Sequence, residues 1–208
     1  MSKPAKTTRK PVATQQVLQR MGWQSVARVS ELTGRGVHRV HLQRLEKRGL
    51  IVRAGRGLYR LADAELSEYE SFLQAAKLVP QGVLCLLSAL NFHELTTQDP
   101  FEVWLALPRG AHRPRITEPP LRIHFFSGES YTEGIEEHTI EGVTLRVYSV
   151  AKTVADCFKF RNKIGLEVAL EALRECRKAR RATADEIWHY AEVCRVSKVM
   201  SPYLEALW

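Results

Sequence analysis

Long apolar runs are missing from this chain of 208 residues. None approaches the ~20 residues that a membrane span requires. The opening stretch MSKPAKTTRKPVATQQ also lacks the apolar segment of a secretory signal. These absences make a cytoplasmic location the expectation, with no membrane partner. Cysteine is sparse and scattered. Cys85, Cys157, Cys176 and Cys194 form no CxxC and stand at no Cys/His ligand spacing, which argues against a structural metal site and predicts four reduced thiols in or near the core. The usual signatures of catalysis are absent as well: His93-Glu94 is not part of an HExxH, and there is no GxSxG, no P-loop and no GxGxxG. Asp99 and Glu102 stand at the start of a strand pattern, but position 104 is Trp where a nuclease site would place Lys, and a metal nuclease needs more converging carboxylates. The expectation is a non-enzyme with no catalytic residues, no metal and no cofactor.

Acids are scarce beside bases in the first third. Residues 1–63 hold 14 Lys and Arg against 3 Asp and Glu, a net +11. The rest holds 17 against 20, a net −3, so the whole-chain excess of +8 resides in the N-terminal segment. Such asymmetry points to a polyanion-binding module joined to a near-neutral body. With 45% hydrophobic and 26% charged residues, that body has material for a real core.

The N-terminal segment carries a helical and then a strand pattern. Residues 1–13 read as a flexible basic arm. A first helix is expected over Thr14–Met21, a second over Ala27–Leu32, a tight TGRG connection containing Arg35, and a third helix over Val37–Arg48 stopped by Gly49. LIVRAGRGLYRLA (Leu50–Ala62) reads as two strands around a turn at Ala54–Gly57. Three helices followed by a hairpin define a winged helix-turn-helix over residues 14–63. At about 100° per residue, His38, Leu42 and Leu45 share one face of the third helix, and Arg39, Val40, Gln43, Arg44 and Lys47 the other. Arg pairs with guanine, Gln with adenine, and Val touches a thymine methyl, so this stripe suits a DNA major groove. Arg53 and Arg56, set among glycines in the hairpin, suit a phosphate or the minor groove. The DNA-binding candidates are therefore Arg35, Arg39, Val40, Gln43, Arg44, Lys47, Arg53 and Arg56. A solvated basic helix, or a winged helix used for protein contacts, is the plainer alternative.

Residues 64–208 form the second expected domain, α+β, with a small mixed sheet and a helical C-terminal part. A capping box at Ser67 and Glu70 starts a helix that runs to Val79. Val83–Leu95 reads as a buried helix. Strand patterns follow at Phe101–Pro108, LRIHFFS, IEEHTI and VTLRVYS, and then helices from Val150 onward. Ser149 can cap the first of these, on which Lys152 and Asp156 stand four apart and can pair. Arg161, Asn162 and Lys163 lie between helices, free to face a partner. Arg109, Arg113 and Arg115 form a basic loop among Gly and Pro. Arg177, Lys178, Arg180 and Arg181 make a patch at a helix C-terminus, where the dipole favours cations.

Two stretches are distinctive: LLSALNFHELTTQDPFEVWLALPRGAHRPR (Leu86–Arg115) and VYSVAKTVADCFKFRNKIGLEVALEALRE (Val147–Glu175). With the N-terminal pattern, they make the chain resemble the AbiEi family of antitoxins from about Val17 to Leu207. Ser149, Lys152, Thr153, Asp156, Arg161, Asn162 and Lys163 match positions typical of that family's C-terminal domain. The resemblance implies a repressor that binds inverted repeats in its own operon's promoter. It also implies a C-terminal domain that counters a nucleotidyltransferase toxin in abortive infection, a form of phage defence, in many such pairs without a stable complex (type IV). It marks Lys152, Asp156, Arg161, Asn162 and Lys163 as the antitoxin-domain candidates. The competing reading is a free-standing winged-helix regulator whose second domain senses a ligand or dimerises.

Overall fold

The computed structural model describes residues 26–64 and 67–207. The basic arm and the helix expected at Thr14–Met21 lie outside these residues. The chain divides after Ala64 into two compact units.

The first unit opens with β1 (Val26–Arg28), followed by helices α1 (Val29–Gly34) and α2 (Arg39–Lys47) and strands β2 (Ile51–Gly55) and β3 (Leu58–Leu61). The strands form an antiparallel sheet in the order β1-β3-β2. The sequence places a helix from Ala27. Instead Val26, Ala27 and Arg28 pair with Arg60, Tyr59 and Leu58, and the helix starts at Val29. Pairing with β3 gives these three residues backbone partners that the first turn of a helix lacks. The start is then secured by Glu31, whose carboxylate accepts the Arg28 backbone N–H at 3.2 Å.

The helices α1 and α2 end in the same way. Gly36 (φ 87) and Gly49 (φ 65) take the left-handed conformation. Behind them, Val37 N–H reaches Leu32 O (2.9 Å) and Leu50 N–H reaches Leu45 O (3.0 Å). This is the Schellman stop, which favours glycine and brings the apolar residue after the turn onto the helix. The core of the unit comprises Ala27, Leu32, Val37, Leu42, Ile51 and Tyr59, with Leu45 packed at its edge. His38, expected on the packed face, is the exposed N-cap of α2. Val37 takes its place because the preceding turn folds it inward.

The second unit holds a five-stranded mixed sheet in the order β6-β5-β4-β8-β7. Its strands are β4 (Val83–Leu84), β5 (Val103–Pro108), β6 (Leu121–Phe126), β7 (Ile135–Ile140) and β8 (Val143–Tyr148). β5–β6 and β4–β8 are parallel; β4–β5 and β7–β8 are antiparallel. Alternation along β5 sorts the side chains to two faces. Val103, Leu105 and Leu107 join Phe72 and Ala75 of α3 (Glu70–Leu78). Trp104 and Ala106 join the core beneath the C-terminal helices. Those helices are α6 (Val150–Lys159), α7 (Arg161–Ile164), α8 (Leu166–Lys178), α9 (Ala184–Val193) and α10 (Ser197–Leu207). The short helices α4 (Leu86–Phe92) and α5 (Glu129–Thr132) complete the unit.

Two expectations for this unit shift. Val83–Leu95 is not one helix, because its first two residues form β4 in the middle of the sheet. A short, fully buried apolar run carries no period that separates strand from helix. The helix expected from Ser67 begins at Glu70, and the Ser67 hydroxyl instead accepts the Tyr69 N–H at 3.3 Å. A true capping box stands at Thr183 and Glu186, ahead of α9. All four cysteines are free thiols and buried. Among the described residues, no helix is long and apolar enough to cross a membrane.

Candidate nucleic-acid interface

α2 presents Arg39, Val40, His41, Gln43, Arg44 and Lys47 to solvent, while Leu42 is buried and Leu45 half-buried beneath. Val40 is 55% exposed, the largest exposure of an aliphatic side chain on this face. Nothing in the fold of the unit requires an apolar group there. Arg44 and Lys47 sit in the last turn, where the helix dipole favours cations. Arg39 breaks that rule: it opens the first turn, behind His38, and the turn contains no acid. A guanidinium at the positive end of a helix, with no acid in the first turn, leaves an uncompensated field that an anion from outside would neutralise.

The one acid of α2, Glu46, is turned away from this face. It accepts the Arg53 guanidinium at 3.1 Å and the Tyr59 hydroxyl at 3.3 Å. Arg53 lies in addition 5.9 Å from the centre of the Tyr59 ring. These contacts tie the hairpin to the helix and leave the exposed stripe without an acid. They also separate the two hairpin arginines expected to act together. Arg53 stands within β2, clamped to Glu46, where a bulge shifts the β2–β3 register between Arg53 and Gly55. Arg56 occupies the exposed turn itself, between Gly55 (φ 140) and Gly57 (φ 75). The turn is anchored from below by the Val29 N–H, which donates to Gly57 O at 3.0 Å. Arg35, also exposed, closes α1 as its C-cap. Sequence reasoning missed Glu46, whose partner Arg53 lies across a helix-to-strand turn that leaves no periodic signature.

The candidates of the second unit separate into two environments. Lys152 and Asp156 are both fully buried and pair at 2.5 Å, as their spacing on one helix face allows. The Lys152 ammonium also lies 4.2 Å from the Tyr148 ring centre and 5.1 Å from that of Phe126. The Cys194 thiol reaches the second Asp156 oxygen at 3.1 Å. Burial raises Asp156 above the ordinary carboxylate range against the opposing pull of Lys152. Ser149 caps α6 by accepting the Lys152 N–H at 3.4 Å, and Thr153 donates to Tyr148 O at 3.1 Å. This half of the motif fastens α6 to β8. Arg161, Asn162 and Lys163 form the surface helix α7 instead, with Arg161 bonded to Phe158 O at 2.9 Å and Asn162 and Lys163 exposed. The loop residues Arg109, Arg113 and Arg115 are exposed as well.

The two-part α+β architecture thus joins a small helical and antiparallel-sheet unit, basic on its exposed helix, to a larger mixed-sheet unit with C-terminal helices. Residues 15–62 match the family described as "Transcriptional regulator, AbiEi antitoxin", a regulatory and not a catalytic description. The match spans the first unit and ends before the second. In overall fold the chain is similar to the crystal structure of the RV2827C protein from Mycobacterium tuberculosis, with a TM-score of 0.58 and 10% sequence identity, covering 88% of this chain and 72% of that one. Among curated proteins, none is similar enough to match.

Proposed function

We propose that the chain is a DNA-binding autorepressor and the antitoxin of a bacterial toxin–antitoxin operon. In this reading residues 1–13 are a basic arm, residues 14–63 a winged helix-turn-helix, and residues 64–208 the antitoxin domain. The unit binds inverted repeats in its own promoter, and the second domain counters a nucleotidyltransferase toxin. The observation that carries the reading is the acid-free exposed face of α2, with Arg39, Val40, Gln43, Arg44 and Lys47 along it and Glu46 withdrawn into the hairpin. The family description for residues 15–62 supports it. α2 enters the major groove, Arg35 and Arg56 meet phosphates on either side, and Arg53 holds the hairpin at its angle to the helix. Within the second domain, Lys152 and Asp156 act by shaping α6, and Arg161, Asn162 and Lys163 supply surface.

A gel-shift titration tests the repressor. It compares DNA from immediately upstream of the gene with a scrambled duplex of equal length at two salt concentrations. Preferential binding to the upstream DNA at the higher salt is expected; equal, salt-sensitive binding to both duplexes would overturn specific repression. Arg39→Ala and Arg44→Ala should each weaken upstream binding by ~1–3 kcal/mol and relax sequence preference, as lost base contacts do. Co-expression with the nucleotidyltransferase encoded beside the gene tests the antitoxin half, with growth as the readout.

A further inference from the structure

A cleft of about 780 Å³ opens within the second unit, bounded by the end of α4, strand β7, and the starts of α6 and α9. Its lining joins two sets of polar groups. The first set donates. Val150 and Ala151 open α6, their backbone N–H groups have no partner among the described residues, and the first turn of the helix holds no acid. Arg181 adds an exposed guanidinium, which donates from one nitrogen to His93 O at 3.4 Å and pairs with no acid among the described residues. The left-handed Arg180 before it (φ 50), with the Arg181 N–H bonded to Cys176 O at 3.0 Å, fixes where this side chain leaves the turn.

The second set accepts. His93 is only 4% exposed, and its Nε2 lies 2.7 Å from Tyr148 O. A carbonyl oxygen can only accept, so Nε2 carries the proton. Nδ1 then presents a lone pair to the cleft, without a partner among the described residues. Burial lowers the pKa of His93 from the ordinary imidazole value, which keeps the ring in this neutral form. Glu186 is occupied by Thr183, whose N–H it accepts at 2.7 Å, but Asp185 beside it has no partner among the described residues. Glu136 lines the cleft as well and is bonded to His138 Nε2 at 3.2 Å. Phe92, edge-on to His138 at 5.0 Å, and Tyr190 give the lining its aromatic part.

A ligand of one charge sign suits only half of this lining. A phosphate would meet Asp185 and Glu136, and a polyamine would meet Arg181 and the positive end of α6. A small molecule that carries a carboxylate and an ammonium on one carbon satisfies both sets, and a peptide terminus, with one of the two, does not. We propose that the cleft binds a free aromatic α-amino acid: Arg181 and the first N–H groups of α6 hold its carboxylate, Asp185 and His93 Nδ1 its ammonium, and Phe92 and Tyr190 its side chain. A mostly enclosed aromatic surface with a few convergent polar groups is the usual make-up of a small-molecule site. The cleft lies wholly in the second unit, and the assignment does not depend on the repressor reading.

The test is calorimetric titration of the full-length protein with L-phenylalanine, L-tyrosine and L-tryptophan. Each is run beside the matching arylethylamine and arylpropionate, which keep only one of its two charges. At least one amino acid should bind, and its one-charge analogues should bind about tenfold more weakly or worse. Arg181→Gln and Asp185→Asn, both at exposed positions, should each weaken the amino acid by about tenfold, with thermal unfolding as the check on the fold. Arg181→Lys should retain most of the affinity, and Arg39→Ala with Arg44→Ala all of it. In the unmodified protein, the imidazole nitrogen resonances of His93 should shift on saturation. Absence of binding by all three amino acids at millimolar concentration would overturn the site. So would a one-charge analogue that binds as well as its parent, an affinity indifferent to both Arg181→Gln and Asp185→Asn, or an unmoved His93.

Discussion

Asp156 and Lys152 show how a charged pair can belong to a core. Both are fully buried, and each has a second contact: the Cys194 thiol for the carboxylate, and the rings of Tyr148 and Phe126 for the ammonium. Removing one partner strands the other. Asp156→Ala should cost about 3–5 kcal/mol in urea denaturation, because it leaves the Lys152 ammonium with aromatic faces alone. The apolar double variant Lys152→Met with Asp156→Leu should recover most of that loss, since a buried pair often contributes little net stability over well-packed hydrophobic groups. A near-neutral Asp156→Ala would mean that water reaches the ammonium. His124 gives a second residue-scale expectation, through pH. Its folded-state value is held at about 4 by burial and the neighbouring cations. The unfolded chain takes up a proton near the ordinary ~6.5, so the stability owed to the neutral ring is complete above that value. It is lost as pH falls from there through 4. His124→Phe should flatten this acid limb by on the order of 2 kcal/mol, allowing for solvent screening at the sheet edge, as read from denaturation midpoints between pH 7 and 4.

At the scale of elements, the recurring device is the way helices stop. α4, α8 and α9 end like α1 and α2, with the same pair of backbone bonds, but the left-handed residue is Glu94 (φ 58), Arg180 (φ 50) or Arg195 (φ 58). Behind Glu94 and Arg195, the apolar Leu95 and Val196 fold back onto Leu90 and Ala191. A side chain in this conformation is strained. Arg195→Gly should therefore raise stability by up to about 1 kcal/mol, and Gly49→Ala, where an added Cβ would meet no neighbour within 4 Å, should lower it by about as much, both read by thermal unfolding. The same contrast explains what the sequence makes legible. Gly49 announces the end of α2, whereas nothing in the residues around Arg180 or Arg195 does. The exposed face of α2 follows from helical periodicity alone. The position of His38 does not, because it depends on where the preceding turn releases the chain. Alternation marks β5, β7 and β8, but the two residues of β4 are hidden in an apolar run. The stacking of Trp104, His124 and Phe160 is set by strand order and helix return, and no local pattern encodes it.

For the whole molecule, charge and fold divide at nearly the same place. Residues 1–63 carry net +11 and residues 64–208 net −3, and the compact units part after Ala64. DNA affinity should then fall steeply with salt, the logarithm of the binding constant changing by about 0.9 per phosphate contact for each logarithmic unit of salt. Arg56→Ala should weaken binding evenly across sequences and reduce that slope by about 1.

β4 has a consequence of another kind. β5 and β6 are neighbours in the chain, and so are β7 and β8, but the two halves of the sheet meet only through Val83 and Leu84. Leu84 pairs with Leu105 on one side and with Val147 on the other. The contact with Val147 closes a long loop, whose entropy must be overcome before the contact contributes stability. The hairpin of β7 and β8 pairs residues close in sequence and closes only a short loop. Because of the long loop, the joining of the halves through this two-residue strand should come late in folding.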